Sequence, residues 1–469
     1  MKRFLAVLSA ALTATALLPA AASAHGLVQR QQLPIPQWLF AWAAAAVLVI
    51  SFFALAVLWR EPRLEQDDWR ALPGGRGWAG LPLQILWGAL GVLLFVVTVL
   101  AGYLGAGTAL DNWAPTFILI TFWVGMVFAS ILFGDVFRAL SPWRAVGRLL
   151  PSLNRPYPQR LGRWPAAAGL FIFTWIELVS GWGEDPALLV TAVVGYSVIT
   201  LAAQFYFGVE RWSSYGEAFS VYYNMFSRMS VFETRDGVLG LRRPLGGLPK
   251  LDVVAGTVPF VCVMIGTVTF DGFSQGQLWK DLSANIVDAF DGIGVGPLTA
   301  TKIASTVGLF MGVFFVAGFY RLGIEGARSV GGNLSLRKLE YGFVHSLVPI
   351  AAVYVAAHYL TLIIFECQAL TYLASDPFGQ GWDLFGTVDG GIDYTIFPQE
   401  NTWYVQVAVV VIGHVAALAL AHDRALTMYG DAKLAVRSQY WMLGVMVGFT
   451  SLALWLLAQA GSKRGTVPL

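Results

Sequence analysis

Long apolar stretches run through this sequence, and they restrict its possible folds more than any other feature. A helix needs roughly 20 consecutive apolar residues to cross a bilayer, and about ten stretches meet that rule. Only 12% of the residues are charged and mean hydropathy is +0.64, whereas soluble domains carry about 25% charged residues. We therefore expect residues 25–469 to form a single integral membrane domain, an all-α, polytopic transmembrane helical bundle. The predicted spans are Trp38–Trp59, Leu83–Leu104, Ala114–Gly134, Ala166–Trp182, Pro186–Gly208, Leu251–Phe270, Leu298–Leu322, Leu339–Glu366, Trp403–His422 and Tyr440–Ala460.

The N-terminus has the three parts of a secretory signal peptide. Two basic residues at positions 2 and 3 precede an apolar core, Phe4–Leu18, and the A-x-A cleavage pattern ends at Ala24. We therefore predict a signal peptide over residues 1–24, whose removal would leave His25 as the mature N-terminus outside the cytoplasm. The alternative is an uncleaved first helix.

Lysine and arginine concentrate in every second loop, which predicts the orientation of the chain. Cytoplasmic loops of membrane proteins carry the excess of these residues. The basic segments are 60–82, 135–165, 209–250, 321–338 and 423–439. We therefore expect a multi-pass protein of the plasma membrane with its mature N-terminus outside, as the signal peptide also requires. The net charge of +2 is too small to indicate a nucleic-acid partner, so the predicted partner is the lipid bilayer.

The predicted outer segments are acidic. Segment 270–297 contains Asp271 and three further aspartates, and segment 371–402 has carboxylates without any Lys or Arg. A field of one sign at an entrance concentrates counter-ions, which would suit a cation ligand. The other interpretation is that outer loops lack basic residues because of the insertion rule, and that the carboxylates serve solubility.

Two other stretches carry structural predictions. Asp135–Leu150 mixes arginines with large apolar residues, so we expect it to lie along the inner interface, with Asp135 paired to one of its arginines. The sixth span contains Gly256, Pro259 and Gly266, which indicates an interrupted helix. Interrupted helices and two halves of opposite sense are typical of secondary transporters, although the two halves here show no sequence similarity.

Two of the predicted spans hold four of the five histidines: His345, His358, His414 and His422. Ionisable groups inside spans are rare and are functional candidates. At 1.5 Å per residue, His358 lies about 12 Å and His414 about 16 Å below the outer ends of their spans. His345 and His422 both lie roughly 30 Å down. If the two helices are neighbours, the histidines form two pairs at matching depths, one functional and one secondary polar pair.

The angular positions of these histidines argue against two stacked haems. At 100° per residue, His345 and His358 lie about 140° apart on their helix, and His414 and His422 about 80° apart. Pro349 can kink the first helix because it lacks an N–H and clashes with the preceding turn. A single site that uses His358 and His414, for a metal ion, one haem or a proton relay, remains possible.

Further polar residues are predicted at the same outer depth. Glu177 lies in the fourth span and Glu366 at the outer end of the eighth, while His25 would be outside. Imidazole and carboxylate are ligands for divalent metals such as Zn and Cu. The candidate metal ligands are therefore His358, His414, Glu177 and Glu366, with His25 as a further candidate. The alternative is that each histidine is hydrogen-bonded separately inside the bundle.

Several long strings resemble a known family. HGLVQRQQLPIPQWLFAW after the signal, LFGDVFRALSPWRA at 132–145, GHVAALALAHDRAL at 413–426 and RSQYWMLGVMVGFTSLALWLL at 437–457 are similar to polytopic bacterial membrane proteins labelled fenitrothion hydrolase. The resemblance covers nearly the whole chain. It implies hydrolysis of an organophosphate triester at its P–O aryl bond, and it assigns no catalytic residue.

Three functions follow from these observations. The first is a membrane-embedded, metal-dependent hydrolase, in which a bound divalent cation would activate water. The second is a transporter or handler of a cation such as copper, which the acidic outer segments favour. The third is a redox protein with one haem. The ligand is in each case a small molecule or a metal ion, and the sequence identifies no partner subunit.

Overall fold

A computed structural model of the protein describes residues 37–78 and 80–461. The predicted signal peptide and His25 lie outside these residues.

Most of the described chain is helical and only a few of its residues form strands, which confirms the all-α fold class. Nine of its helices are long and apolar enough to cross a bilayer. They are Leu39–Leu58, Gly75–Leu104, Trp113–Phe133, Pro186–Phe207, Thr257–Ser274, Pro297–Arg328, Leu336–His358, Asn401–Tyr429 and Ala432–Leu456. The predicted fourth span corresponds to a shorter apolar helix, Trp164–Ser180, so the count of ten spans stays a prediction.

The helices are numbered here in chain order. They are α1 (Gln37–Leu58), α2 (Gly75–Trp78), α3 (Leu81–Leu104), α4 (Trp113–Thr116), α5 (Met126–Phe133), α6 (Val136–Leu140), α7 (Pro142–Gly147), α8 (Trp164–Trp175), α9 (Pro186–Phe207), α10 (Val209–Tyr215), α11 (Ala218–Ser227), α12 (Thr257–Ser274), α13 (Gln277–Asp291), α14 (Pro297–Arg328), α15 (Leu336–Phe343), α16 (Val348–His358), α17 (Leu360–Ile364), α18 (Ala369–Ser375), α19 (Gln399–Tyr429) and α20 (Ala432–Gly461). Two π-helical segments, Phe117–Gly125 and Ile176–Ser180, and three 3₁₀ turns, Trp182–Glu184, Val344–Leu347 and Glu366–Gln368, join or extend them.

Three short strands form a small antiparallel sheet. They are β1 (Arg70–Ala71), β2 (Phe232–Arg235) and β3 (Val238–Leu241), with β3 in the middle. The turn between β2 and β3 consists of Asp236 and Gly237, which both have positive φ. Asp-Gly is the favoured pair for a two-residue hairpin because it tolerates that conformation.

The chain divides into two compact units. The first contains residues up to Glu65, then Ile265–His358 and Gln399 onward, and the second contains Gln66–Met264 and Tyr359–Pro398. Both include candidate spans, so the single membrane domain over residues 25–469 stays a prediction.

In the first unit, α19 packs against α1, α16 and α20, and α14 packs against α20. Helix α12 crosses α14 very closely. A Cβ atom added to Gly266 would lie 2.5 Å from Cα of Val313, and one added to Gly312 would lie 2.5 Å from the Gly266 carbonyl oxygen. Small residues permit such contact between backbones in membrane proteins. The crossing fixes the end of α12, which carries Asp271.

In the second unit, α3 packs against α6, α7 and α9. Glycines again allow the approach, because a Cβ atom at Gly91 would lie 1.8 Å from the Leu140 carbonyl oxygen. A cluster of aromatic rings fills the space around α11, where Trp123 stacks on Tyr222 with ring centroids 4.9 Å apart. Tyr223 donates a hydrogen bond to the carbonyl of Phe122, within the first π-helical segment.

The structure corrects the predicted position of the helix break. Helix α12 is continuous and begins after Gly256, which has a φ of +79°. Pro259 falls in its first turn, where a missing N–H costs nothing. The break occurs instead in the predicted eighth span, at Tyr359 (φ −96°, ψ 15°). Pro349 follows a 3₁₀ turn that contains His345, in agreement with the expected disturbance.

The stretch Asp135–Leu150 forms the short helices α6 and α7. Asp135 accepts hydrogen bonds from the backbone N–H of Arg138, at 3.3 Å, and from Nδ2 of Asn224, at 2.8 Å. The expected pairing with an arginine side chain is therefore replaced by a helix cap.

Candidate functional site

A histidine and an aspartate from two different helices meet in the first unit. Nε2 of His358, the last residue of α16, lies 2.8 Å from Oδ2 of Asp271, in the last turn of α12. Their side chains are 16% and 14% exposed. Such a distance is that of a strong, charge-assisted hydrogen bond. The pair joins residues 87 positions apart in the sequence.

His358, one member of this pair, lines a small cavity with mostly apolar walls. The cavity has a volume of about 20 Å³, which is roughly the space that one water molecule requires. Its lining residues are Val268, Thr269, Gly272, Tyr354, Ala357, His358, Val410, Ala453 and Leu456. Helices α12, α16, α19 and α20 therefore all contribute to its wall.

The hydrogen bond to Asp271 determines how His358 can act. An ionised carboxylate only accepts, so Nε2 of His358 carries the proton and Nδ1 has the lone pair in the neutral ring. A Cβ atom at Gly272, which also lines the cavity, would lie 3.7 Å from both Nδ1 and Cε1 of this ring. Gly272 therefore packs beside the edge of the imidazole that carries Nδ1.

Two fully buried polar atoms lie close to this cavity. The hydroxyl of Tyr354 and Nε2 of His414 have no hydrogen-bond partner among the described protein atoms. The ring of Tyr354 lies 6.5 Å from that of His414, and His414 donates through Nδ1 to the carbonyl of Val410, at 2.8 Å. Buried polar atoms are almost always satisfied, so these two indicate a place for water or a ligand.

The other two histidines each have their own partners. Nδ1 of His345 lies 2.9 Å from the Gly342 carbonyl oxygen. His422 contacts the side chain of Gln439 at 3.1 Å and the Trp59 carbonyl oxygen at 2.8 Å. The structure shows no hydrogen bond between the two rings, so the secondary polar pair is better described as two separate anchors.

The predicted carboxylate ligands belong to the second unit. Glu177 lies on the π-helical segment that follows α8, and its charge adds to the effect of burial in raising the pKa of Tyr222. Glu366 begins a 3₁₀ turn and accepts a hydrogen bond from the hydroxyl of Tyr394, at 3.3 Å. Within residues 37–78 and 80–461, no three His, Cys, Asp or Glu side chains are grouped to hold a metal ion.

The cavity beside His358 is much smaller than a pocket that holds a large cofactor. Pockets for drug-sized ligands have volumes of about 300–1,000 Å³, and the cavity at this position has about 20 Å³. Nε2 of His358 is also engaged by Asp271. The geometry instead suits the transfer of a proton to or from one small molecule.

Sequence reasoning missed Asp271 as a partner because it assigned this residue to the acidic outer segment. The predicted span ended at Phe270, whereas α12 continues to Ser274. The predicted depth of His358 assumes an unbroken helix as far as Glu366. Because the helix breaks at Tyr359, that predicted depth is wrong. A carboxylate directly after a span, near the predicted depth of an intramembrane histidine, was the available signal.

No family model, no curated protein and no solved structure matches this chain. The fold and the site define it as a multi-pass helical membrane protein with a histidine–aspartate pair at a water-sized cavity.

Proposed function

We propose that the protein is a membrane-embedded hydrolase of apolar aryl phosphotriesters, with His358 as the general base and Asp271 as the residue that positions it. The observation that carries this proposal is the 2.8 Å hydrogen bond between Asp271 and His358, the second of which lines the cavity. A carboxylate that holds an imidazole in one tautomer, so that the other ring nitrogen can take a proton from water, is the arrangement that general-base hydrolysis needs.

The proposed step moves one proton to His358 and exchanges the P–O aryl bond for a new P–O bond. Nδ1 of His358 takes a proton from water, and the water oxygen forms a bond to phosphorus. The P–O aryl bond breaks, and its electron pair leaves with the aryl oxygen as a phenolate. The proton then passes from the imidazolium to the phenolate or to bulk water, which restores the base.

Two further features support this substrate class. Val268, Ala357, Val410 and Leu456 beside the cavity are apolar. The cavity itself would hold only the attacking water, and these side chains would contact a neutral triester that enters from the lipid. The sequence strings at 132–145, 413–426 and 437–457 resemble the fenitrothion hydrolase family. A divalent metal was the cofactor expected from the sequence. The described residues bring no third ligand to the pair, so the step is assigned to the two side chains themselves.

The test is the release of 4-nitrophenolate from diethyl 4-nitrophenyl phosphate by membranes that contain the full chain. His358→Gln and Asp271→Asn should each lower kcat/KM by about 100-fold or more, because general-base catalysis contributes 10²–10⁴-fold. Asp288→Asn is the matched control, since Asp288 is an exposed aspartate of the same unit. It should leave turnover unchanged at equal protein in the membrane.

Two results would overturn the proposal. One is turnover by either variant equal to that of the unaltered protein, and the other is turnover no higher than in membranes without the protein. Addition of a chelator is a separate arm. If it removes all turnover, hydrolysis depends on a bound metal ion and the metal-free general-base step is wrong.

A second function, proton-coupled cation transport, is favoured by the helix break at Tyr359, directly after His358. Discontinuous helices next to ionisable side chains form the ion sites of many transporters. The probe is copper(II) added to proteoliposomes that contain a pH-sensitive dye. Transport predicts a copper-dependent change of internal pH that His358→Gln removes, and an unchanged internal pH would eliminate this candidate.

A further inference from the structure

One glutamate of the second unit is shared by three arginines. Glu210, in α10, accepts hydrogen bonds from Arg138 at 3.2 Å, from Arg144 at 2.6 Å and from Arg148 at 3.1 Å. Successive turns of the α6–α7 region supply the arginines, and α10 supplies the carboxylate. We call these four residues the Glu210 cluster.

The Glu210 cluster has an excess of positive charge. Burial by itself would raise the pKa of Glu210, but the hydrogen bond and charge of Arg144, the charge of Arg138 and the hydrogen bond of Arg148 lower it to about 2. The carboxylate is therefore ionised at neutral pH. Three guanidinium groups and one carboxylate leave two positive charges without a balancing partner inside the cluster.

Arg144 is the buried member of the Glu210 cluster. Its side chain is only 4% exposed, and its Nε is buried without a hydrogen-bond partner among the described atoms. Arg138 and Arg148 are 56% and 43% exposed. A ligand with several acceptor oxygens could therefore contact Arg138 and Arg148 at the surface. The positive charge of the buried Arg144, which the fold holds in place, would also attract it.

Large apolar side chains lie exposed directly after the last arginine. Leu149 is 86% exposed, Leu150 45% and Leu153 51%. Exposed leucines beside arginines are characteristic of a segment whose apolar residues lie among acyl chains while its basic residues lie at headgroup level. This juxtaposition favours a lipid over a soluble anion as the ligand.

We propose that the Glu210 cluster binds the headgroup phosphate of an anionic phospholipid, with Arg138 and Arg148 as direct contacts and Leu149 and Leu150 against its acyl chains. The charge distribution predicts that this end of the helices faces the cytoplasm, where the leaflet carries anionic lipid. Basic pockets at that surface recognise phosphate headgroups, because arginine offers forked N–H donors to their oxygens.

The experiment uses the purified full chain reconstituted with mixtures of phosphatidylcholine and phosphatidylglycerol. Native mass spectrometry counts the copies of each lipid that stay bound after transfer to detergent. The variant Arg138→Gln/Arg148→Gln should lower the preference for phosphatidylglycerol about 25-fold, because each basic residue near a membrane surface contributes roughly fivefold. The matched control is Arg155→Gln/Arg160→Gln, which removes the same charge from two exposed arginines of the same loop. It should keep the preference.

The comparison of the two double variants, the competition with phosphate and the salt dependence can each contradict the proposal. Equal loss in both double variants would show that only overall charge matters, and no loss in either would show that the cluster binds no lipid. Inorganic phosphate is the competitor that separates the two sources of the ligand, and displacement of the lipid by it at comparable concentration would overturn the lipid assignment. For the unaltered protein, the preference should weaken as salt rises, since exposed charges are screened, and a preference independent of salt would also overturn it.

Discussion

The Asp271–His358 pair and the Glu210 cluster both join a carboxylate to cationic or potentially cationic side chains. They differ in how many such side chains face each carboxylate. In the first unit one carboxylate faces one imidazole, and both are about 15% exposed beside an apolar cavity. In the second unit one carboxylate faces three guanidinium groups, two of them well exposed.

This difference in proportion explains the different functions that we propose. A one-to-one pair can pass a proton without a net change of charge in a poorly hydrated place, where an unpaired charge is costly. A three-to-one cluster of groups that never lose their protons cannot do so, because arginine stays charged. Its excess charge attracts an anion instead.

The largest expected effect tests whether the first pair acts as a unit. His358→Gln and Asp271→Asn should each lower kcat/KM for the triester by about 100-fold or more, and the double variant should be no worse than His358→Gln. A carboxylate that only positions the base has no function once the base is removed. Additive losses in the double variant would mean that Asp271 acts independently of His358.

A smaller effect separates the positioning carboxylate of Asp271 from a structural carboxylate of the same unit. Asp423 is 1% exposed and accepts hydrogen bonds from Nε1 of Trp59, at 2.9 Å, and from the backbone N–H groups of Arg63 and Leu64, at 2.6 and 3.0 Å. Asp423→Asn should lower the free energy of unfolding by about 1–3 kcal/mol, because at least one donor loses its partner.

Turnover per folded molecule should stay unchanged in Asp423→Asn. Thermal unfolding in detergent measures the stability, and Asp288→Asn again serves as the exposed control. If Asp423→Asn lowered turnover while the melting temperature stayed constant, the assignment of a structural role to Asp423, in contrast to Asp271, would be wrong.

The smallest effect concerns the acid stability of the Glu210 cluster. The pKa of Glu210 lies at about 2 in the folded protein, below its ordinary value of 4.5. The ionised carboxylate therefore stabilises the fold above pH 4.5, and this stabilisation is lost as the pH falls from there toward 2.

The melting temperature should be compared between roughly pH 5 and pH 3, where Glu210 begins to lose this stabilising effect. Over this interval it should fall about 1–2 °C more in the unaltered protein than in Glu210→Gln. The effect is small because the glutamate side chain is 56% exposed and water screens its charge. Identical slopes for the two proteins would show that Glu210 does not stabilise the fold through its ionised form.

Local sequence determined most of the helical architecture. The length and apolar composition of each stretch decided that it is a helix of membrane-crossing length, since these properties need no knowledge of neighbours. The same local reasoning singled out the arginine-rich segment 135–150 and argued against two stacked haems through the angular positions of the histidines. It failed for the sixth and eighth spans, where the effect of a proline or the place of a break depends on the surrounding contacts.

Tertiary structure alone decided which ionisable groups meet. His358 contacts Asp271 across 87 residues because Gly266 and Gly312 let α12 approach α14, and because α16 ends at His358. Arg138, Arg144 and Arg148 converge on Glu210 because α10 follows α9 back to the region of α7. A helical period fixes the face on which a residue lies, but the partner opposite that face follows only from how the helices pack.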